Sequence, residues 1–442
     1  MTVASTRDRL MLFQFCLYGF LKNQQYFEPF FLLALLQKFE SQGATLALTW
    51  VGLLYGFRDL CVNLLEVPSG AIADVLGRRR SMIAGFVAYI GSFLIFGFCE
   101  DIWTLFVAMF LFSVGQAFRT GTHKSMIFEW LNRLGRTDEK TAIYGYTRSW
   151  SKLGSALSAL IAAALVFTTG NYSTIFLVCV GPYLLNVVNF MFYPSYLEGK
   201  PVAGRSLGEV FRTLGRSIQH SLAPGPLRRL LFESMGFEGL YRAGKDYLQL
   251  IVQVAAIGLL LPYLIEWLQQ TRPGADPKLL ATTVAIGPVY FLVFVASSIA
   301  SRKAKNLVQA AGSENAAGRR LWIGNLAVFS LLGFSVMTDC FWLAILAFLA
   351  LAILENLWRP ILVSRIADCT NSRDQATILS VESQAKSLFA AFVAPLLGFA
   401  IDMLRQHSTS GEYNYLPLAL FGIAISLVML LTGRRKRRQA MD

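Results

Sequence analysis

The sequence predicts an all-α integral membrane protein, with twelve transmembrane helices in two pseudo-symmetric six-helix bundles, on three observations. Of 442 residues, 55% are hydrophobic and only 15% are charged, whereas roughly a quarter of a soluble chain is charged. Apolar stretches long enough to cross a bilayer, about 20 residues each, recur along the whole length. They fall into two sets of six about one polar central segment. This composition disfavours a soluble enzyme, a nucleic-acid binder and a single-pass receptor.

In order, the first six spans run over residues 10–36, 45–67, 81–99, 102–121, 141–167 and 173–193, and the second six over 229–263, 280–300, 320–338, 341–363, 377–403 and 415–432. The first bundle therefore occupies 1–195, a cytoplasmic linker 196–226, and the second bundle with its basic tail 227–442. The first span follows Met1 to Arg9 without a small-residue cleavage site, so it reads as a retained helix. In the linker, Leu207, Val210, Phe211, Leu214 and Ile218 recur at helical spacing with Glu209, Arg212 and Arg216 between them. That pattern is an amphipathic helix at the membrane surface.

Basic residues crowd alternate connections: Arg7 and Arg9, Arg78, Arg79 and Arg80, Arg133 and Arg136, Arg302 and Lys303, Arg319 and Arg320, and the tail from Arg434 to Arg438. The opposite side carries only Lys38, Arg272, Lys278 and Arg405. The positive-inside rule then puts both termini in the cytoplasm, which an even number of spans satisfies. Six cysteines are scattered without a C-x-x-C pair, so neither a disulfide framework nor a metal site is indicated.

Between the second and third spans stands Gly70-Ala-Ile-Ala-Asp74-Val-Leu-Gly77-Arg78-Arg79-Arg80. Gly70 and Gly77 permit close helix approach and a tight turn, and Asp74 can meet cations and the N-terminal dipole of the next helix. The segment resembles the signature loop of the major facilitator superfamily at Gly70, Asp74, Gly77, Arg78 and Arg80, and the preceding Glu66-Val-Pro-Ser is similar to the lead-in of bacterial solute and drug exporters of that superfamily. The resemblance covers nearly the whole chain. It implies two homologous halves related by an axis along the membrane normal, a cavity lined by the first, fourth, seventh and tenth helices, and a gating role for the five loop residues. The equivalent place in the second half, Ser297 to Lys303, keeps its bases but lacks the Gly and the Asp. The fifth span lacks the Gly-Pro pair of many antiporters, and Arg119 lies too near the cytoplasmic end of the fourth span to match the mid-helix Arg of the proton-coupling motif.

Charges at mid-span cost roughly 2.5–3.5 kcal/mol each and face a cavity or a partner. The candidates for substrate binding are Lys22, Gln25, Tyr26, Arg58, Arg148, Lys152, Arg242, Lys245, Arg359 and Lys386; those for proton coupling are Glu28, Glu238, Asp246, Glu355 and Glu382. Glu238 with Arg242, Arg242 with Asp246, Glu355 with Arg359, and Glu382 with Lys386 stand four apart, as neutralising pairs on one helix do. Arg148 and Lys152 differ. They are two cations one turn apart with no acid on their own helix, so they require an anion from another helix or from a substrate. Pro29, after Lys22-Asn-Gln-Gln-Tyr26-Phe-Glu28, removes a backbone donor and invites a bend.

Together these features predict a secondary active transporter moving a small anionic or zwitterionic organic solute by alternating access, as a proton-coupled exporter. The alternatives are a proton- or cation-coupled importer of an organic anion, and a non-transporting receptor or scaffold on the same fold. No Walker sequence and no nucleophile or metal constellation is present, so neither enzymatic activity nor a cofactor is expected. The expected partners are the solute, protons and the lipid bilayer, with no nucleic acid, and the expected form is a monomer in the bacterial inner membrane.

Overall fold

The computed structural model describes residues 6–120, 122–136, 139–198, 225–370, 375–407 and 414–438. Every regular element among them is helical. The first span is α1 (Thr6–Leu21), a break, and α2 (Phe31–Ser41); then come α3 (Ala47–Leu76), α4 (Arg78–Phe98), α5 (Ile102–Arg119) continued by α6 (Thr122–Arg133), α7 (Lys140–Thr169) and α8 (Ser173–Met191). The seventh span is assembled from α9 (Pro226–Ser234), α10 (Leu240–Gly244), α11 (Leu248–Ala255) and α12 (Leu261–Thr271). It is followed by α13 (Pro277–Ala311), α14 (Glu314–Met337), α15 (Phe341–Asp368), α16 (Gln375–His407) and α17 (Leu416–Arg438). Nine stretches among the described residues are long and apolar enough to cross a membrane. The bent first span, α3 and α17 complete twelve.

Local chemistry sets the boundaries. Asp101 caps α5 by accepting from Thr104 N at 3.0 Å, and Ser313 caps α14 by accepting from Ala316 N at 3.2 Å, each satisfying an orphan donor of a first turn. Gly77 ends α3 at φ 94°, a conformation that disfavours any side chain. A Cβ there would also stand 2.8 Å from Glu198 Oε2.

Three expectations change. The fourth span does not stop at 121: α5 ends at Arg119 and α6 carries the same span on to Arg133. His123, Lys124 and Glu129 lower its hydropathy and hide the continuation. The second-half counterpart of the signature loop, Ser297 to Lys303, lies inside α13, and the turn comes later, at Gly312 with φ 82°. At Gly70 a Cβ would meet nothing within 4 Å among the described residues, so this glycine marks no close approach. The linker helix expected over 206–222 lies outside the described residues, as do the side chain of Asp74 and those of the basic tail.

Two compact units emerge, residues 1–34, 57–211 and 269–291 in one and 35–56, 212–268 and 292–442 in the other. The first has an aromatic core in which Phe27 stacks on Phe176 at 5.8 Å and Tyr183 meets Phe93 edge-on at 4.8 Å. In the second, Phe237 lies parallel to Trp358 at 4.5 Å, with Trp322 edge-on to Phe237. Trp358, one residue before Arg359 in the tenth span, is fully buried and belongs to this core.

The second unit also joins α3 to α16. Asp402, 1% exposed, accepts from Thr49 N and Thr49 Oγ1 at 2.7 Å each and from Leu48 N at 3.4 Å. It acts as an N-cap supplied by another helix. Replacing a cap by Ala costs about 1 kcal/mol, so Asp402→Ala is expected to lower the thermal midpoint of the detergent-solubilised protein measurably, with Asp402→Asn recovering most of the loss. Equal midpoints for wild type and the Ala variant would show that the cap adds nothing to stability.

Candidate functional site

In the first unit the break after α1 gathers cations. At the turn over 22–25 a side chain meets the Lys22 carbonyl, as irregular backbone at membrane depth requires, and the turn's own amides anchor it to neighbouring backbone. Tyr183 Oη donates to Lys22 O at 3.0 Å, Gln25 Nε2 donates to Tyr183 Oη at 3.0 Å, Gln24 Nε2 donates to Gly154 O at 3.3 Å and Asn23 Nδ2 to Gly19 O at 2.6 Å. At Gly154 a Cβ would stand 2.6 Å from Phe20 O, so the absence of a side chain lets α7 press against α1. That approach brings Arg148 and Lys152 within electrostatic reach of Lys22.

Arg119, at the end of α5, joins them. It acts on Lys22 as well and lies among the phenols of Tyr18, Tyr89 and Tyr183. Lys22 Nζ stands 5.3 Å from the Tyr18 ring centroid. His123 stacks on the same ring at 3.8 Å with its Nε2 3.4 Å from Tyr193 Oη. Lys22, Arg119 and Arg148 form no ion pair with any carboxylate among the described residues. Hydropathy places Arg119 and His123 at a helix end. The longer fourth span puts them in its interior instead.

The second unit is the opposite case, with its charges matched. Arg359 Nη1 reaches both Glu382 oxygens at 2.8 Å and both Glu238 oxygens at 3.3 Å. Lys386 Nζ binds Glu238 Oε2 and stands 3.4 Å from Glu382 Oε1. Ser234 Oγ donates to Glu382 Oε1. Glu382 is fully buried and Glu238 is 6% exposed. Next to Ser234 at the end of α9, Glu233 accepts from Arg229 Nε and Arg365 Nη1 at 2.7 Å each, a pair of contacts no sequence expectation included. Arg229 at i−4 was the available signal.

Of the pairs expected within helices, Glu382 with Lys386 forms. Arg359 spans to Glu238 and Glu382 on two other helical segments, and Glu355 Oε2 accepts from its neighbour Asn356 Nδ2 at 2.8 Å. Glu238 pairs with Arg359 and Lys386, and Asp246 with its neighbour Lys245 at 3.6 Å. The seventh span is also not one continuous α-helix. A π turn over Met235–Gly239 and a 3₁₀ turn over Lys245–Tyr247 interrupt the 3.6-residue period, so side chains four apart no longer stand one above the other.

The remaining candidates scatter. Arg58 pairs with its neighbour Asp59 at 3.0 Å on α3, Tyr26 is buried, and Glu28 opens the 3₁₀ turn containing Pro29. At the signature loop Arg78 is half-buried and Arg80 exposed. The ion pair formed there is Arg79 Nε with Glu198 Oε1 at 3.0 Å, reinforced by Arg79 Nη1 donating to Tyr193 O at 3.1 Å.

Helical spans this long and apolar define an integral membrane protein. Residues 10–395 match the Major Facilitator Superfamily, and the chain belongs to that family. Comparison with curated proteins finds no match. Among solved structures, the nucleoside transporter NupG superposes with a TM-score of 0.72 at 11% identity, covering 96% of this chain and 98% of that one. A POT family transporter in complex with 5-aminolevulinic acid gives 0.66 at 13% identity, covering 96% of each chain. A D-xylose–proton symporter gives 0.59 at 13% identity, covering 95% of this chain and 96% of that one. These likenesses are of fold. The protein is a secondary transporter of the superfamily type and not an enzyme.

Proposed function

We propose that the protein exports a small anionic or zwitterionic organic solute in exchange for protons, by alternating access of two six-helix halves, residues 1–195 and 227–442. The single observation behind this reading is the asymmetry of charge. Lys22, Arg119 and Arg148 have no carboxylate partner among the described residues, whereas Glu238 and Glu382 are held by Arg359 and Lys386. Partly buried cations without counter-ions, as Lys22 and Arg119 are, are expensive to keep, and an anionic substrate supplies what they lack, with the exposed Arg148 placed to receive it. The carboxylates of the second cluster are the proposed proton carriers, with Asp246 and Glu355 in support, and in the first unit Lys152 flanks the solute. The loop Gly70, Asp74, Gly77, Arg78 and Arg80 is the proposed gate. Both termini are placed in the cytoplasm of a bacterial cell, with the protein in its inner membrane as a monomer.

Arg148 is exposed, so its replacement spares the fold. In proteoliposomes with an imposed pH gradient, Arg148→Gln is expected to reduce flux of a small carboxylate at least tenfold while changing flux of its neutral amide less than threefold. Equal losses for both would return Arg148 to a structural role, and wild-type flux that ignores the pH gradient would sink proton coupling.

A further inference from the structure

We propose that a groove between α1 and α8 in the first unit holds one molecule of phosphatidylglycerol, with its phosphate at Arg7 and one acyl chain lying along α1. The groove has a volume of about 750 Å³. Two hydrogen bonds fix the register of its walls: Asn189 Nδ2 donates to Gln14 O at 3.1 Å and Tyr183 Oη to Lys22 O at 3.0 Å. The helices therefore run antiparallel, with Arg7 and Tyr196 at one end of the groove and Leu21 at the other. Leu10, Phe13, Val188 and Phe192 along it are exposed. Both walls belong to membrane spans, so these side chains face hydrocarbon.

Length selects the occupant. From Leu10 to Leu21 the helix rises about 16 Å at about 1.5 Å per residue, close to half of a hydrocarbon core about 30 Å thick. Because α1 ends at Leu21, the groove accommodates a chain from one leaflet, whereas a helix of a partner protein or of a second copy would cross both.

Polarity along the groove follows the order of a phospholipid. Arg7 is exposed and forms no ion pair among the described residues. Arg133 stacks over the Tyr196 ring at 4.5 Å, and its contact with Glu129 is as long as 3.8 Å, so a second guanidinium stands beside the mouth. Such forks match phosphate oxygens, and this is the membrane side of the basic connections, where anionic headgroups gather by the positive-inside rule. Asp8 lines the same mouth. The glycerol hydroxyls of phosphatidylglycerol give its carboxylate a further donor, which a choline headgroup cannot do. About two turns deeper Gln14 is half-buried, and its side-chain amide makes no hydrogen bond among the described residues. It offers a donor to an acyl ester carbonyl. Beyond it the α1 wall is apolar, with Leu17 and Leu21.

The test is native mass spectrometry of the purified full-length protein equilibrated with equal amounts of dioleoyl phosphatidylglycerol, phosphatidylethanolamine and phosphatidylcholine. One phosphatidylglycerol is expected to stay bound, retained about fivefold or more over each of the others. Arg7→Gln is expected to cut that retention about fivefold, the worth of one basic residue at an anionic surface. Leu17→Trp, which fills the groove, is expected to cut it as far, with the thermal midpoint of each variant in lipid-free detergent unchanged. Arg302→Gln, at an exposed base outside the groove, is the control and is expected to retain the lipid. Equal retention of all three lipids would mean annular lipid only and overturn the site, and phosphatidylethanolamine held as well as phosphatidylglycerol would overturn the anionic headgroup. Unchanged retention in Arg7→Gln overturns the placement of the phosphate, and in Leu17→Trp that of the chain. Retention of no lipid by the wild type overturns the proposal and leaves a protein segment as the occupant.

Discussion

Lys386→Met is expected to abolish transport and to destabilise the folded protein by about 3–5 kcal/mol, the cost of removing one partner from a buried ionic cluster. Lys386 stands between Glu238 and Glu382 with 13% of its side chain exposed, and the two carboxylates are 6% and 0% exposed. Without it, both share the single guanidinium of Arg359. The cost arises from the stranded charge, so removing a negative charge as well should offset it. Lys386→Met with Glu238→Gln is therefore expected to recover more than half of the lost stability, read as the thermal midpoint in detergent, while transport stays lost. Neighbours in one network are where such non-additivity is found. A double variant no more stable than the single would show that Lys386 contributes by packing and not by charge.

Gly398→Val is expected to prevent accumulation of folded protein. A Cβ at 398 would lie 2.3 Å from Leu48 O, 2.6 Å from Leu48 C and 2.9 Å from Thr49 N. All three are backbone atoms and cannot swing aside. Gly52 and Gly56, one turn apart on α3, meet α16 in the same way, their Cβ positions 2.6 Å from Ala394 O and 2.5 Å from Ala391 O. Small residues at this spacing let helices touch along their backbones. Overpacking typically costs about 1–3 kcal/mol when side chains can adjust, and at backbone contacts the strain is larger. Gly181→Ala is the control, since a Cβ there meets nothing within 4 Å. It is expected to leave yield and the monodisperse gel-filtration peak unchanged, and a Gly398→Val protein behaving like it would refute the close-contact explanation.

Hydropathy makes the spans legible because a bilayer imposes length on every one of them. It fails where polar residues enter a span. The fourth reads as ending at 121 because His123, Lys124 and Glu129 interrupt the apolar run, and that early end takes Arg119 and His123 out of the site they occupy. Lys22, Arg148 and Lys152 are visible from the sequence alone, since a charge within an apolar run is conspicuous. Their assembly with Arg119 depends on Gly154 allowing α7 against α1, which spacing does not reveal. Partner choice in the second cluster is illegible for another reason: an i, i+4 rule presumes an unbroken helix, and the seventh span is not one. Asp402 reaches Thr49 across 353 residues, and Glu198 meets Arg79 from beyond α8, at separations no local pattern encodes.

The seventh span holds two π turns, Met235–Gly239 and Ala256–Leu260. Each stores one residue beyond the α-helical turn. Releasing that residue would rotate everything beyond it by about 100° and advance it by about 1.5 Å, the rotation and rise of one α-helical step. The span is thus a screw with two spare notches. A one-notch slip at the first would sweep Arg242, Lys245 and Asp246 to a different bearing while α9, with Glu233 locked by its two arginines, stayed still.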